Sequence, residues 1–267
     1  MRVGCRPDAA TALGEWLCAC PCVVTVERTS GRRSFQLLVA AADPAALDDF
    51  VTAALAQRPG VTEAVVATSL HVFVEGSGWR PQALDAAQRA ALTADRHRLP
   101  PPSPRRRTGD LELIVALGGD ARRSAVELAA DTGLSDATVL RRISDMTRSH
   151  RLVFRCDVAR EAAGWAFSLC FWARLPADEL TELGATLAAW PEIRLCSAVA
   201  DDDSNVLLIA WLRTQQDCIA LESRLRQRFP NLHITERQLN LRTLERMGRL
   251  LGSRGRAIGL VPFGIWG

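Results

Sequence analysis

Apolar and polar positions along the second half of the chain follow two periodicities in turn, every second residue and every third or fourth. The first is typical of strands and the second of amphipathic helices. Strands are predicted at 165–174, 193–199, 205–212 and 232–241, and helices at 176–190 and 218–229. This order, β-α-β-β-α-β, predicts a ferredoxin-like fold.

The first part of the chain repeats this order. A helix is predicted at 8–19, strands at 22–28 and 35–41, a helix opened by Asp43 and Pro44, and a strand at 61–74. Asp at the N-cap and Pro at the first helical position favour that start. These elements match the second half one for one, but no opening strand is predicted. We therefore expect an α+β protein with two ferredoxin-like domains, the first of them incomplete.

Between the repeats, residues 124–150 predict two short helices joined by a tight turn. Ser124 and Glu127 match the capping box that opens a helix. Gly133 suits the left-handed conformation that ends one, and Ser135 is a favoured N-cap for the next. With a further helix predicted at 110–117 and a short strand at 152–156, the pattern indicates a winged helix-turn-helix.

The second helix of this pair combines an apolar stripe with a polar face. The stripe contains Val139, Leu140, Ile143 and Met146, and the polar face contains Asp136, Thr138, Arg141, Arg142 and Asp145. In helix-turn-helix proteins the second helix enters the major groove, where guanidinium groups bind guanine edges or phosphates. The pattern predicts DNA binding, and the alternative is an ordinary αα-hairpin with a solvated arginine face.

Composition limits how DNA can be bound. The 267 residues carry 33 basic side chains, all arginine, against 30 acidic ones, a net charge of +3. Affinity must therefore come from the local placement of arginines. Arg105, Arg106 and Arg107 end a proline-rich linker at 99–107, where they either contact phosphate or mark a solvated boundary.

The remaining sequence features argue against other classes. There is no apolar run of about 18 residues and no signal-peptide pattern, so a cytoplasmic protein is expected. The eight cysteines are expected to be small buried hydrophobes, because Cys18, Cys20 and Cys22 lack zinc-site spacing. No nucleophile elbow, phosphate loop or dinucleotide fingerprint occurs. No enzyme activity, cofactor or metal is predicted, and an enzyme on this scaffold is an alternative without catalytic residues.

The motifs of residues 108–246 resemble those of the leucine-responsive regulator/AsnC (Lrp/AsnC) family of bacterial transcription factors. The residues that carry the resemblance are Asp110, Leu111, Leu117, Asp120, Ala121, Arg122, Glu127, Leu128, Ala129, Gly133, Leu134, Ser135, Thr138, Val139, Arg141, Arg142 and Ile143. The N-terminal repeat resembles the end of a second effector domain. The chain is therefore similar to tandem members of the family.

This resemblance implies a domain organisation. An incomplete effector-type domain is expected at 8–76, a helical and Pro/Arg-rich linker at 77–107, the helix-turn-helix domain at 108–158, an effector and oligomerisation domain at 163–246 and a tail at 247–267. In the family such domains pair into dimers or larger assemblies. The expected partners are double-stranded DNA, further copies of the chain and a small effector such as an amino acid.

The same resemblance suggests site residues. Thr138, Arg141 and Arg142 are expected to contact DNA, with Ser135 and Asp136 at the start of the recognition helix, and Arg122, Arg123 or Arg155 on phosphates. The family binds its effector at a Gly-x-x-Asp turn, which corresponds here to residues 31–34 and 200–205. In the second turn Asn205 stands in the place of the family aspartate as a candidate effector ligand. Asp201, Asp202 and Asp203 are candidates to face an ammonium group or a divalent cation, and the alternative is a solvated acidic turn.

The sequence thus predicts a sequence-specific, DNA-binding transcriptional regulator that responds to a small effector. The alternative is a ligand-sensing or oligomerising protein whose helix-turn-helix is vestigial, because only one such motif stands between two effector-type repeats.

Overall fold

Residues 1–79, 85, 87–88, 107–262 and 264 are described in the computed structural model, which divides into two units. The sheet unit comprises residues 1–79 and 157–267, and the helix unit comprises residues 80–156. The predicted helix at 85–94 and the linker at 99–107 lie outside the described residues, apart from residues 85, 87, 88 and 107. The predicted α+β class is confirmed.

The first repeat of the sheet unit begins with a strand and contains four strands, and a fifth strand follows it along the chain. Its elements are β1 (Arg2–Cys5), α1 (Ala10–Ala19), β2 (Val23–Thr29), β3 (Phe35–Val39), α2 (Pro44–Asp49, continued by a π-helical segment, Phe50–Leu55), β4 (Val61–Val65) and β5 (Thr68–Val74). Asp43 caps α2, because its Oδ1 accepts a hydrogen bond from the Ala46 amide at 2.8 Å.

The helix unit and the second repeat follow along the chain. The helix unit contains α3 (Asp110–Gly119), α4 (Ala125–Thr132) and α5 (Asp136–Arg148). The second repeat contains β6 (Phe167–Arg174), α6 (Leu180–Leu187), β7 (Ile193–Ala200), β8 (Val206–Leu212), α7 (Gln215–Arg228) and β9 (His233–Arg246). A hairpin follows, formed by β10 (Arg249–Leu251) and β11 (Ala257–Leu260).

Three predictions about the sheet unit are wrong. The first repeat does not lack its opening strand, because β1 occupies that place. All four β1 residues are buried, so the strand shows no alternation from which it could be predicted. The strand predicted at 61–74 is two strands, β4 and β5, because each pairs with a different repeat. The predicted tail at 247–267 contains β10 and β11, since the chain turns back and pairs with the end of β9.

The strands form one antiparallel sheet in the order β4-β1-β3-β2-β9-β6-β8-β7-β5, and β10 and β11 are attached to β9. Strands are exchanged between the repeats. β9 pairs with β6 of its own repeat through residues 233–239 and with β2 of the first repeat through residues 240–246. Reciprocally, β5 pairs with β7 of the second repeat. The two repeats are therefore joined by shared strands within one chain.

Each repeat has its own apolar core between strands and helices. The fully buried side chains include Phe171, Leu183 and Leu208 in the second repeat and Leu17, Phe35 and Leu55 in the first. Gly184 lets α6 lie close to β5, since a Cβ atom there would be 2.3 Å from Phe73 Cγ. The exchanged strand is thus packed into the core of the repeat that receives it.

The chain leaves the sheet unit after Trp79 and re-enters it at Asp157. Both residues contact Arg194 of β7. The guanidinium carbon lies 4.3 Å from the centre of the Trp79 ring, and Nη2 lies 3.9 Å from Asp157 Oδ1. The Arg194 side chain is 6% exposed and also stacks on Trp211 at 4.2 Å. The two ends of the segment that carries the helix unit are therefore held at one point.

The helix unit packs around Leu113, Leu117, Leu128, Val139 and Met146. The predicted wing strand at 152–156 is not formed. Instead, the amides of Arg151 and Leu152 donate hydrogen bonds to the Met146 carbonyl, and Leu152 packs on the helical core, which keeps this segment beside α5. None of the described helices combines the length and apolar character that a membrane span needs.

Candidate functional site

The predicted turn between α4 and α5 is confirmed with its caps. Ser124 Oγ accepts a hydrogen bond from the Glu127 amide at 3.3 Å, and Glu127 Oε2 accepts one from the Ser124 amide at 2.8 Å. Gly133 has φ +68°, the left-handed conformation that ends α4. Ser135 Oγ caps α5 by accepting a hydrogen bond from the Thr138 amide at 3.4 Å.

A buried carboxylate fixes the start of α3. Asp110 is 6% exposed, and its Oδ2 accepts hydrogen bonds from Arg151 Nη1 at 2.8 Å and from the Arg107 amide at 3.0 Å. Burial alone raises the pKa of this carboxyl, but the hydrogen bonds and the arginine charges outweigh it and hold the pKa below its usual value. The carboxylate ties the segment after α5 to the first helix.

The Arg142 side chain lies beside Asp110, although the sequence pattern predicts it on the outward face of α5. Its side chain is 14% exposed, it donates a hydrogen bond to the Thr108 carbonyl, and Nη1 lies 3.6 Å from Asp110 Oδ1. The reason is helical geometry, because Arg142 follows the fully buried Val139 by three positions and precedes the fully buried Met146 by four. The predicted outward position of Arg142 is therefore wrong, and its contact with DNA stays a prediction.

The other predicted DNA-contacting residues of α5 are differently placed. Arg141 is exposed, and no ion pair joins it to any residue that the structure describes. Ser135 and Asp136 are exposed at the start of α5, and Thr138 is half-buried with its hydroxyl accepting a hydrogen bond from Ser135 Oγ at 3.0 Å. The outward face of α5 thus presents one unpaired guanidinium.

The three predicted phosphate-contacting arginines differ in their surroundings. Arg122 is exposed beside the turn before α4. Arg123 is 2.6 Å from Asp131 and donates a hydrogen bond to the Glu127 carbonyl at 3.3 Å, so its charge is largely compensated. Arg155 is half-buried in the segment after α5. Arg122 is therefore the most accessible of the three.

The sequence pattern places Leu140 in the apolar stripe of α5, and this prediction is wrong. Val139 and Met146 are fully buried, whereas Leu140 is 61% exposed. The buried stripe follows Val139, Ile143 and Met146 at spacings of four and three, and Leu140 lies about 100° away from Val139 around the helix.

Asp201, the first predicted effector ligand, is already paired. Its two oxygens accept hydrogen bonds from Arg2 Nη2 at 2.7 and 2.8 Å, and its side chain is 1% exposed. Arg2 also lies 2.7 Å from Glu236 and stacks over Trp172 at 4.0 Å. Asp201 therefore joins the two repeats through a buried ion pair.

The remaining acidic-turn residues do not converge with Asp201 on one point. Both polar atoms of the Asn205 amide bond to Leu175, since Oδ1 accepts from the Leu175 amide at 2.9 Å and Nδ2 donates to the Leu175 carbonyl at 2.7 Å. Asp202 and Asp203 are exposed, and the Asp202 carbonyl accepts a hydrogen bond from Arg174 at 2.9 Å. Within the described ranges, no group of three or more His, Cys, Asp or Glu could hold a metal ion.

A cavity of about 640 Å³ opens beside this turn. It is lined by Arg174, Leu175, Pro176, Val199, Ala200, Asp201, Ser204, Asn205, Asn231 and His233. Arg174 and His233 stand directly opposite each other on β6 and β9, so they border the cavity side by side. Its volume lies within the range of small-molecule sites. Sequence reasoning missed Arg174, Asn231 and His233, which come together only through strand pairing.

All eight cysteines are free thiols, and the expectation that they are buried holds for only half of them. Cys5, Cys18, Cys170 and Cys196 are buried, Cys20, Cys22 and Cys218 are half-buried, and Cys156 is exposed. Burial is the largest cause that raises the pKa of Cys18 to about 12 and that of Cys20 to about 11. Neither thiol is therefore ionised near neutral pH, and neither has the character of an activated nucleophile.

Comparison with known proteins gives two family matches. The model described as the Lrp/AsnC ligand binding domain matches residues 1–79, and the model described as the AsnC-type helix-turn-helix domain matches residues 109–147. No curated protein sequence is matched.

Solved structures fall into two groups. LrpA, the leucine response regulatory protein of Mycobacterium tuberculosis, is 22% identical with a TM-score of 0.44 over 51% of this chain and 93% of that chain. AsnC of E. coli is 19% identical with a TM-score of 0.44 over 52% of this chain and 93% of that chain. The siroheme decarboxylase NirDL is 12% identical with a TM-score of 0.57 over 92% of this chain and 71% of that chain, and it is also known in complex with an iron-uroporphyrin III analogue. This last likeness shows a shared fold alone.

Proposed function

The chain belongs to the Lrp/AsnC family and is a DNA-binding regulator, and from this premise we propose which of its surfaces bind DNA and effector. The two repeats act as ferredoxin-like effector modules, the first of them opening with β1, and α5 is the recognition helix. The main support for DNA binding by α5 is Arg141, which is exposed and unpaired. It lies on a helix whose N-cap and preceding turn have helix-turn-helix geometry.

We propose a smaller DNA-contacting set than the sequence suggests. Arg141 binds a guanine edge or a phosphate, and Ser135, Asp136 and Thr138 stand at the entry of α5 into the groove. Arg122 contacts a phosphate, and Arg123 and Arg155 are secondary candidates for the same role. Arg142 holds the helix unit together instead of touching DNA. The protein binds double-stranded DNA as a dimer or larger assembly, as members of this family do.

The test of this assignment is a mobility-shift titration on a duplex selected by the protein from a randomised pool. Arg141→Ala should weaken binding by about 5- to 150-fold, the range expected for a lost base contact of about 1–3 kcal/mol. Arg224→Ala is the matched control, because Arg224 is an exposed arginine of α7 in the sheet unit. Equal affinities of the wild type and the Arg141 variant would reject the assignment.

The salt dependence of DNA affinity distinguishes a working DNA interface from a vestigial helix-turn-helix. Phosphate contacts release counterions, so the logarithm of affinity falls by about 0.9 for each contact per decade of salt. A steep decline between 50 and 200 mM salt supports a working DNA interface. Weak binding whose affinity does not change with salt concentration supports a vestigial helix-turn-helix.

We propose that the effector occupies the cavity beside the acidic turn. Arg174, Asn231 and His233 bind it, and Asp201 contributes through its ion pair with Arg2 and not as a free ligand. Binding is measured by calorimetry with single amino acids, and Arg174→Gln should remove the heat of any amino acid that binds the wild type. A ligand bound equally by the variant would place the effector elsewhere.

The fold shared with NirDL over most of the chain favours a second candidate, in which the protein binds a tetrapyrrole. We propose a regulator and not an enzyme, because the family matches are to a ligand-binding domain and a helix-turn-helix. Titration with iron-uroporphyrin, followed by absorbance, distinguishes the two. Saturable micromolar binding would favour the second candidate, and the absence of binding would reject it.

A further inference from the structure

The outward face of α5 carries an apolar side chain that has no role inside the protein. Leu140 is 61% exposed, while its neighbour Val139 is fully buried. Ala137, three positions earlier, is also exposed, so the two lie together on one face of the helix. Arg141 is exposed next to Leu140 along the chain. The face of α5 that points away from the helix unit is therefore an apolar patch bordered by one guanidinium.

A single exposed leucine is ordinary on a protein surface and is no evidence of a site. The position of Leu140 is what matters, because a recognition helix lies in the major groove and its outward residues meet base edges. The thymine 5-methyl group is the apolar feature of that groove, and small apolar side chains recognise it by contact. An apolar patch beside an arginine therefore matches a thymine next to a guanine.

We propose that Leu140, supported by Ala137, is a specificity-determining residue that reads thymine methyl groups in the major groove. This inference rests on the proposed function of α5 as the recognition helix. It assigns the preference for thymine to Leu140 and the contact with a neighbouring guanine or phosphate to Arg141. The sequence pattern alone placed Leu140 in the core, so the assignment depends on its exposure.

The experiment uses the full-length protein and the duplex that it selects from a randomised pool. Each thymine of the selected site is replaced in turn by deoxyuridine, which removes the 5-methyl group and leaves base pairing unchanged. The wild type should lose about fourfold in affinity at one or two positions, the factor for one buried methyl-sized group. Leu140→Ala should bind more weakly and lose this sensitivity to deoxyuridine at those positions.

Val126→Ala is the matched control, because Val126 is 63% exposed on α4 and outside the recognition helix. It should keep the wild-type pattern. The inference is overturned if the wild type is insensitive to deoxyuridine, if the selected site contains no thymine, or if Leu140→Ala keeps the full sensitivity. A wild type that binds no duplex at all rejects the proposed function itself, and this inference with it, so the two failures are distinguishable.

Discussion

Replacing Glu245 by Gln should stabilise the sheet unit at pH 8 and leave its stability nearly unchanged at pH 5. Glu245 lies in the part of β9 that pairs with β2 of the other repeat, opposite Val26. Its side chain is fully buried, and neither carboxylate oxygen has a hydrogen-bond partner among the described residues. Burial raises the pKa of this carboxyl from 4.5 to about 7.

The size and sign of the effect follow from this shift. In the unfolded chain the carboxyl ionises near pH 4.5, whereas in the folded protein it keeps its proton up to about pH 7. Because the folded state binds more protons in this interval, the free energy of unfolding falls as pH rises from 4.5 to 7. At about 1.4 kcal/mol per pKa unit the loss is about 3 kcal/mol. A glutamine does not ionise, so the variant avoids this loss.

Urea unfolding followed by tryptophan fluorescence, at pH 5, 6, 7 and 8 and constant ionic strength, measures the difference. The tryptophans that the structure describes all lie in the sheet unit, so the signal reports on it alone. The nearby thiols of Cys18 and Cys20 do not titrate in this range, since their pKa values are raised to about 12 and 11. Glu222→Gln is the control of opposite sign. Its hydrogen bond from Arg237 lowers the pKa of Glu222, so this change should cost up to about 1 kcal/mol at pH 8.

Parallel pH profiles for the wild type and Glu245→Gln would refute the reasoning. They would mean that the ionised carboxylate has a partner or water access that stabilises its charge. A larger stability of the wild type at pH 8 would do the same.

Three further substitutions have defined outcomes. Arg142→Ala should destabilise the helix unit by about 1–3 kcal/mol, because it removes a hydrogen bond from a charged group, and hydrogen exchange of α3 and α5 should rise. Asp201→Ala should destabilise the sheet unit by about 1–3 kcal/mol in urea, because the buried Arg2 loses one of its two carboxylate partners and keeps only Glu236, and an unchanged midpoint would contradict the pairing. Gly184→Ala should cost about 1–3 kcal/mol, since the new Cβ collides with Phe73, and calorimetry should show a lower melting temperature.

Most helices and strands could be predicted from local signals in the sequence. Caps and turns such as Ser124 with Glu127 were predictable because they depend on residues three or four apart. β1 was not, because a four-residue strand that is buried throughout shows no alternation. The strand exchange was also invisible, because pairing partners such as Val72 and Ser197 are far apart in the sequence.

The candidate site residues were also predictable only where their position depends on nearby residues in the sequence. The exposed position of Arg141 could be predicted from the sequence. Arg142 was expected to be exposed but is largely buried, and Leu140 was expected to be buried but is exposed. A stripe drawn from residue types alone cannot distinguish neighbours at its edge, where an ion-pair partner such as Asp110 decides the outcome. The cavity around Arg174 and His233 needed the pairing of β6 with β9, which no local pattern encodes.

The Arg194 contacts with Trp79 and Asp157 make the helix unit an insertion closed at its base. The ends of the segment between these two residues are held close together by Arg194. The sheet unit therefore already bears much of the loss of chain entropy that closing this segment requires. Arg194 belongs to β7, whose last residues Val199 and Ala200 line the cavity. A ligand that displaces Arg194 would therefore act on Trp79 and Asp157 together.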